Sequence, residues 1–96
     1  VKVRGMFIVA RQAEQVVKGF DQVSRFQFTV GRKDQRDELI LNLALEGDIN
    51  DRESLQNEIS SRFQSTCRVK IDGFRFVKKD AIPEDAKTIV DERDWT

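Results

Sequence analysis

The side chains that most often perform covalent chemistry are nearly absent from this sequence. It has no histidine and a single cysteine, Cys67, which removes the Ser-His-Asp and Cys-His nucleophile pairs and a mixed Cys/His metal site together. No glycine-rich phosphate loop is present either. Cys67 falls at the end of a helical pattern in mixed polarity and reads as a structural thiol rather than a nucleophile. Carboxylates are paired at Asp37/Glu38, Glu84/Asp85 and Asp91/Glu92, but neighbours on so charged a chain read as solvated surface. One position remains that could do chemistry. Gly5 interrupts an apolar strand-like run, either as a kink or as a point where a ligand comes close to the backbone. By its type alone Lys87 is one of many surface lysines.

The elements that must position these residues follow from periodicity. Residues 1–9 mix alternation (Val1, Val3) with an apolar run from Met6, predicting a strand kinked or bulged at Gly5. From Arg11 the period changes: Ala13, Val16, Val17 and Phe20 share one face of a helix over 11–20. Phe26, Phe28 and Val30, then Leu39, Leu41, Leu43 and Leu45, alternate on either side of a polar turn-like segment, 31–37. That pattern is an antiparallel hairpin. Asn50 or Asp51 can cap a second helix, whose stripe is Leu55, Ile59 and Phe63 and which ends near Ser65. A fourth strand is expected over 68–77, broken or bulged at Asp72 and Gly73. The order strand, helix, strand, strand, helix, strand gives an α+β domain of the split βαβ (ferredoxin-like) plan, with both helices on one face. The charged tail, 78–96, is a C-terminal extension: a loop, then a short strand at Ile89 and Val90.

Composition sets limits on partners. Ninety-six residues leave room for a single domain, 1–96. Lys plus Arg and Asp plus Glu each number 17, for a formal net charge of zero, so neither nucleic acid nor an anionic membrane is expected as a partner. The stretch DGFRFVK (residues 72–78) imitates the aromatic strand of an RNA-recognition motif, but in that module the strand precedes the second helix and here it follows. Phe74 and Phe76 are therefore expected in the core. The longest apolar run is 6–10, far short of the roughly 20 residues that span a bilayer. With no signal-peptide pattern and a lone cysteine, a cytoplasmic location is expected. Because Val1 already lies within a strand-like pattern, the chain reads as a piece of something longer.

Four segments in order carry a resemblance. KVRGMFI (2–8) followed by Gln12 and an amphipathic helix, then RFQFTV, RDELILNLAL and IPEDAKTIVDER, together resemble the C-terminal domain of the phenylacetate-CoA ligase family, AMP-forming acid-CoA ligases. Deazaflavin-adenylating coenzyme synthetases are similar across the same domain. The resemblance covers essentially the whole chain, and its most specific pieces are the two ends, RGMF and IP-x-x-x-K-x-I-x-D-x-R. It implies a parent enzyme that uses ATP, Mg2+ and CoA, with this domain as a mobile cap on its own N-terminal adenylation domain. Lys87 matches the adenylation lysine. Arg4, Gly5 and Met6 match the segment that faces the pantetheine channel of CoA. The hinge residue would lie before Val1, and this fragment by itself would be inactive, with none of these ligands bound tightly. Ala10 stands where the family usually has proline, and Ala86 where related sequences often place glycine before the lysine.

A rival reading from a different class is a free-standing split βαβ regulatory or assembly module that forms a homodimer through its sheet and binds a small effector. Under the ligase reading the activated carboxylic acid stays open among aryl acids, fatty acids and a deazaflavin, because selectivity would reside in the other domain.

Overall fold

The computed structural model describes residues 2–3, 5–47 and 51–93. The chain opens with a miniature antiparallel hairpin, β1 (Lys2–Val3) and β2 (Met6–Phe7). Helix α1 (Ala10–Lys18) follows, then the long hairpin β3 (Val23–Lys33) and β4 (Arg36–Leu45). Helix α2 (Arg52–Cys67) leads to β5 (Gly73–Phe76), and a 3-10 turn at Lys79–Ala81 precedes the last strand, β6 (Ile89–Asp91). The sheet has four strands in the order β5-β4-β3-β6. Its central pair is antiparallel, and each outer strand runs parallel to its neighbour.

The alternation in β3 and β4 does what period two requires. Phe28, Val30, Leu39, Leu41 and Leu43 are fully buried on one face, and both helices pack there, each contributing its apolar stripe. From α1 come Ala13, Val16 and Val17, with Phe20 just beyond its end; from α2 come Leu55, Ile59 and Phe63. Phe28 and Phe63 meet with ring centroids 5.1 Å apart at the centre. Phe74 and Phe76 pack against this core, which is the role expected of them. Helix α2 starts where Asp51 Oδ1 accepts a hydrogen bond from the Ser54 N–H (2.9 Å); the alternative cap, Asn50, lies outside the described residues. It runs two residues past Ser65 because Cys67 continues the i, i+4 stripe and is itself buried. Burial pushes the Cys67 thiol above its ordinary value, keeping it a neutral core group.

The architecture is α+β with two helices on one face, as the split βαβ plan requires, but two expected strands are corrected. Among the described residues of the segment 1–9, none joins the main sheet. Gly5 takes φ +82°, a left-handed conformation that reverses the chain there, so Val3 and Ile8 both reach the core from a hairpin. Strand β6, from the tail, pairs with β3 as an edge strand of the sheet. The strand expected over 68–77 is shortened to Gly73–Phe76. Arg68 ends α2 at φ 63°, and Asp72 starts the ladder by exchanging two bonds with Leu39: its N–H donates to Leu39 O (2.8 Å) and its carboxylate accepts from Leu39 N–H (2.7 Å). A Cβ at Gly73 would lie 2.9 Å from Ile40 Cδ1 across the ladder, so a side chain there would require the Ile40 tip to move.

Candidate functional site

The expected lysine sits on the loop that leaves β5 and returns as β6. That loop contains little regular structure, so its shape depends on what holds it. Ile82 is buried and pins its middle. Pro83 O accepts from Ala86 N–H (3.1 Å), closing a tight turn just before Lys87. Strand β3 supplies the rest. Arg25 Nη1 donates to Ile82 O (2.8 Å) and Lys79 O (3.2 Å), and its Nη2 lies 3.5 Å from Glu84 Oε1. Gln27 Nε2 donates to the carbonyl of Lys87 itself (3.1 Å), and Phe28 N–H donates to Thr88 O (2.8 Å). The side chain of Lys87 is exposed, and among the described residues it forms no ion pair or hydrogen bond. Its backbone is fastened while its ammonium is left to solvent.

A few residues further on the pattern reverses. Arg93 is the one charged residue buried among those described, with its side chain 4% exposed. Its guanidinium grips Asp91 through a two-pronged contact, Nε to Oδ1 at 2.9 Å and Nη2 to Oδ2 at 2.7 Å. Nη1 reaches Asp37 Oδ2 in the β3–β4 hairpin (3.1 Å) and donates to the Lys2 carbonyl in β1 (2.6 Å). The Arg93 hydrogen bond holds the Asp91 carboxyl down at about 2, against an ordinary 3.8, and Asp91 in turn holds the guanidinium above its ordinary range.

The other expected site residues lie on the opening hairpin. Gly5 connects β1 to β2, and a Cβ built on it would meet nothing within 4 Å. Its glycine identity is thus demanded by φ rather than by crowding, and the backbone there is open to approach. Met6 is half exposed, beside the more exposed Phe7 and Val9, with the Lys2 ammonium 5.5 Å from the Phe7 ring centroid. Arg4 lies outside the described residues. The hairpin and the Lys87 loop are separate segments; Arg93 bridges them, since it joins the strand after Lys87 to the carbonyl of Lys2.

No family model and no curated protein sequence matches the chain. In structure, all of it (100%) superposes on 94% of a domain of phenylacetate-coenzyme A ligase from Bacteroides vulgatus ATCC 8482, with a TM-score of 0.85 at 23% identity. The chain has the fold of that ligase domain. A further likeness, TM-score 0.80 at 19% identity, is to 2-hydroxyisobutyryl-CoA ligase in complex with 2-HIB-AMP and CoA in the thioesterification state, covering 97% of this chain and 21% of that one. The same ligase in a postadenylation state with 2-HIB-AMP matches at TM-score 0.75 and 18% identity. The chain spans about a fifth of that enzyme's length (21%).

Set against this ligase-domain fold, Arg25 and Gln27 are residues that periodicity and motif reading passed over, and Arg93 lay inside the tail motif without a role given to it. For Arg93 a further signal existed: Asp91 ends β6 and Arg93 lies two residues on, a spacing that in extended chain puts opposite charges on one face. Arg25 and Gln27 carried none, because their partners are backbone carbonyls more than fifty positions away, 54 to Lys79 and 60 to Lys87. Among the described residues no group of three or more His, Cys, Asp or Glu could hold a metal ion. No described helix is long and apolar enough to cross a membrane.

Proposed function

We propose that the chain is the mobile C-terminal domain of an ATP-dependent carboxylate-CoA ligase, closing on an N-terminal adenylation domain and supplying Lys87 to the adenylation step. The observation that carries this reading is the full-length match to a domain of phenylacetate-coenzyme A ligase, combined with a lysine whose backbone is fixed and whose ammonium is unpaired among the described residues.

The chemistry follows from charge. When a carboxylate oxygen attacks the α-phosphorus of ATP and the bond to pyrophosphate breaks, negative charge accumulates on the phosphoryl oxygens. A cation delivered there by closure of the cap lowers the barrier, because it meets that charge inside a site from which water has been excluded. Lys87 is suited to this role, because its stem is long and no ion pair within the described domain has to be broken before it reaches into a neighbouring cleft. In the second half-reaction the CoA thiol attacks the acyl carbon and AMP leaves. For that step Gly5 and Met6, with Arg4, are proposed to line the pantetheine path. An open backbone at Gly5 and a half-exposed apolar side chain at Met6 suit a slender, partly apolar arm. That 2-hydroxyisobutyryl-CoA ligase has been solved both after adenylation and in the thioesterification state supports reading this kind of domain as one that serves two steps.

The test is ATP-pyrophosphate exchange by the full-length protein that carries this chain, across aryl acids, fatty acids and a deazaflavin, with thioester and AMP measured after adding CoA. One acid class is expected to drive both exchange and thioester formation. Exchange that depends on no acid would contradict the reading.

A further inference from the structure

A lysine that must neutralise charge at one point in another domain's cleft needs its stem to leave the cap from a fixed place. The loop bearing Lys87 cannot fix itself. Between Ala81 and Ile89 it belongs to no helix or strand, and its own backbone bonds there are Ile82 N–H to Lys79 O and the turn from Pro83 to Ala86. Its shape is imposed from β3. Phe26, Phe28 and Val30 face the helices, so Arg25 and Gln27 project from the opposite face of the same strand, and both are partly buried. Both give their donors to loop carbonyls: Lys79 and Ile82 for Arg25, Lys87 for Gln27. Asn42, level with Gln27 on β4, in turn donates to Gln27 O (3.0 Å) and to Thr29 Oγ1 (2.8 Å), which steadies the strand beneath.

We propose that Arg25 and Gln27 are positioning residues for Lys87, setting the point from which its ammonium is presented to the reacting phosphate. This inference rests on the adenylation role given to Lys87 above. Arg25 fixes the entry to the loop at two carbonyls and Gln27 fixes its exit at the lysine itself, so the ammonium swings from one anchored root. Neither residue touches substrate. Each acts through Lys87, and so bears on one half-reaction.

The test uses the full-length ligase and both half-reactions, adenylation by ATP-pyrophosphate exchange and thioester formation from supplied acyl-adenylate and CoA. Gln27→Glu keeps the shape and removes the donor; Arg25→Ala removes three contacts, and Arg25→Lys guards against a variant that fails to fold. Gln27→Glu is expected to lower kcat of adenylation about 5- to 10-fold and Arg25→Ala about 10- to 50-fold, with KM for ATP little changed and thioester formation spared, since small displacements of a reacting group are costly. Arg25→Lys recovers part of the loss. In a Lys87→Ala background neither substitution slows adenylation further, because what they position is gone. Equal losses in both half-reactions, or a further loss in the Lys87→Ala background, would mean a merely structural role and overturn the proposal. If Lys87→Ala slows adenylation and the β3 variants do not, the positioning role falls and the role of Lys87 stands. If Lys87→Ala itself has no effect, both fall.

Discussion

Lys87 and Arg93 are two cations of one motif, six residues apart, and the molecule treats them in opposite ways. Arg93 is buried, makes a two-pronged pair with Asp91, reaches Asp37 and satisfies the Lys2 carbonyl. Lys87 is exposed with its ammonium unpaired among the described residues, and only its backbone is held. The difference teaches how one short tail divides its labour. A charge that holds structure is surrounded by partners inside the domain, whereas the charge proposed to act on another molecule would find its partner outside. The exposed cation has no evident reason to be lysine in the isolated fold, and the buried one has every reason to be arginine, whose planar fork fits a carboxylate.

That contrast can be broken first at Arg93. Arg93→Ala leaves two carboxylates and a carbonyl without this donor and is expected to cost about 2–3 kcal/mol, lowering Tm by about 10–20 °C for a domain of this size. Thermal unfolding followed by circular dichroism reads it, with Arg93→Lys expected in between because the second prong is lost. A shift within a degree or two would remove the distinction between the two cations.

Next in size is Gly5. Because its φ of +82° is unfavourable for a residue with a Cβ while space around it is open, Gly5→Ala should destabilise by about 1 kcal/mol through the backbone alone. Denaturant unfolding that finds no loss would mean the hairpin turn is not held as described.

The pair can also be sharpened by pH. Asp91 is depressed to about 2 from 3.8, so its contribution is fully present above about pH 4 and is lost as pH falls from there towards 2. The Tm difference between the unmodified chain and Asp91→Asn should therefore be constant near neutrality and shrink across that acid window. A difference that persists at pH 2 would show that Arg93 does not depend on the charge of Asp91. Smallest of all, Lys87→Ala should leave the stability of the chain within about 0.5 kcal/mol, as befits an exposed side chain without partners. A larger loss, read from the same melts, would give Lys87 a structural role.

Much of the fold was legible because its elements are amphipathic with the right period. Ala13, Val16, Val17 and Phe20 name one helix face, and the leucines of β4 name the sheet's inner side, whatever the topology. The opening segment escapes periodicity for an equally physical reason. Val3 and Ile8 are apolar in either a continuous strand or a hairpin, and what decides is the sign of φ at Gly5, which periodicity does not report. Likewise the pattern ends α2 near Ser65 unless Cys67 is counted as a core residue. The candidate site divides along the same line. Lys87, Gly5 and Met6 are candidates because they lie in terminal motifs with distinctive spacing. Arg25 and Gln27 alternate with phenylalanines and so look like ordinary solvent-facing positions of a strand. Only the return of the tail across β3 turns them towards loop carbonyls, and that return depends on tertiary contacts between distant segments.

The proposed contribution of Lys87 to adenylation is the central claim, and separating the two half-reactions in the full-length protein that carries this chain tests it directly. Lys87→Ala is expected to slow ATP-pyrophosphate exchange by about 100- to 1,000-fold, the scale of losing one preorganised charge at a transition state, while thioester formation from supplied acyl-adenylate and CoA continues at close to the unmodified rate. An equal loss in both half-reactions, or an undiminished exchange rate, would contradict it.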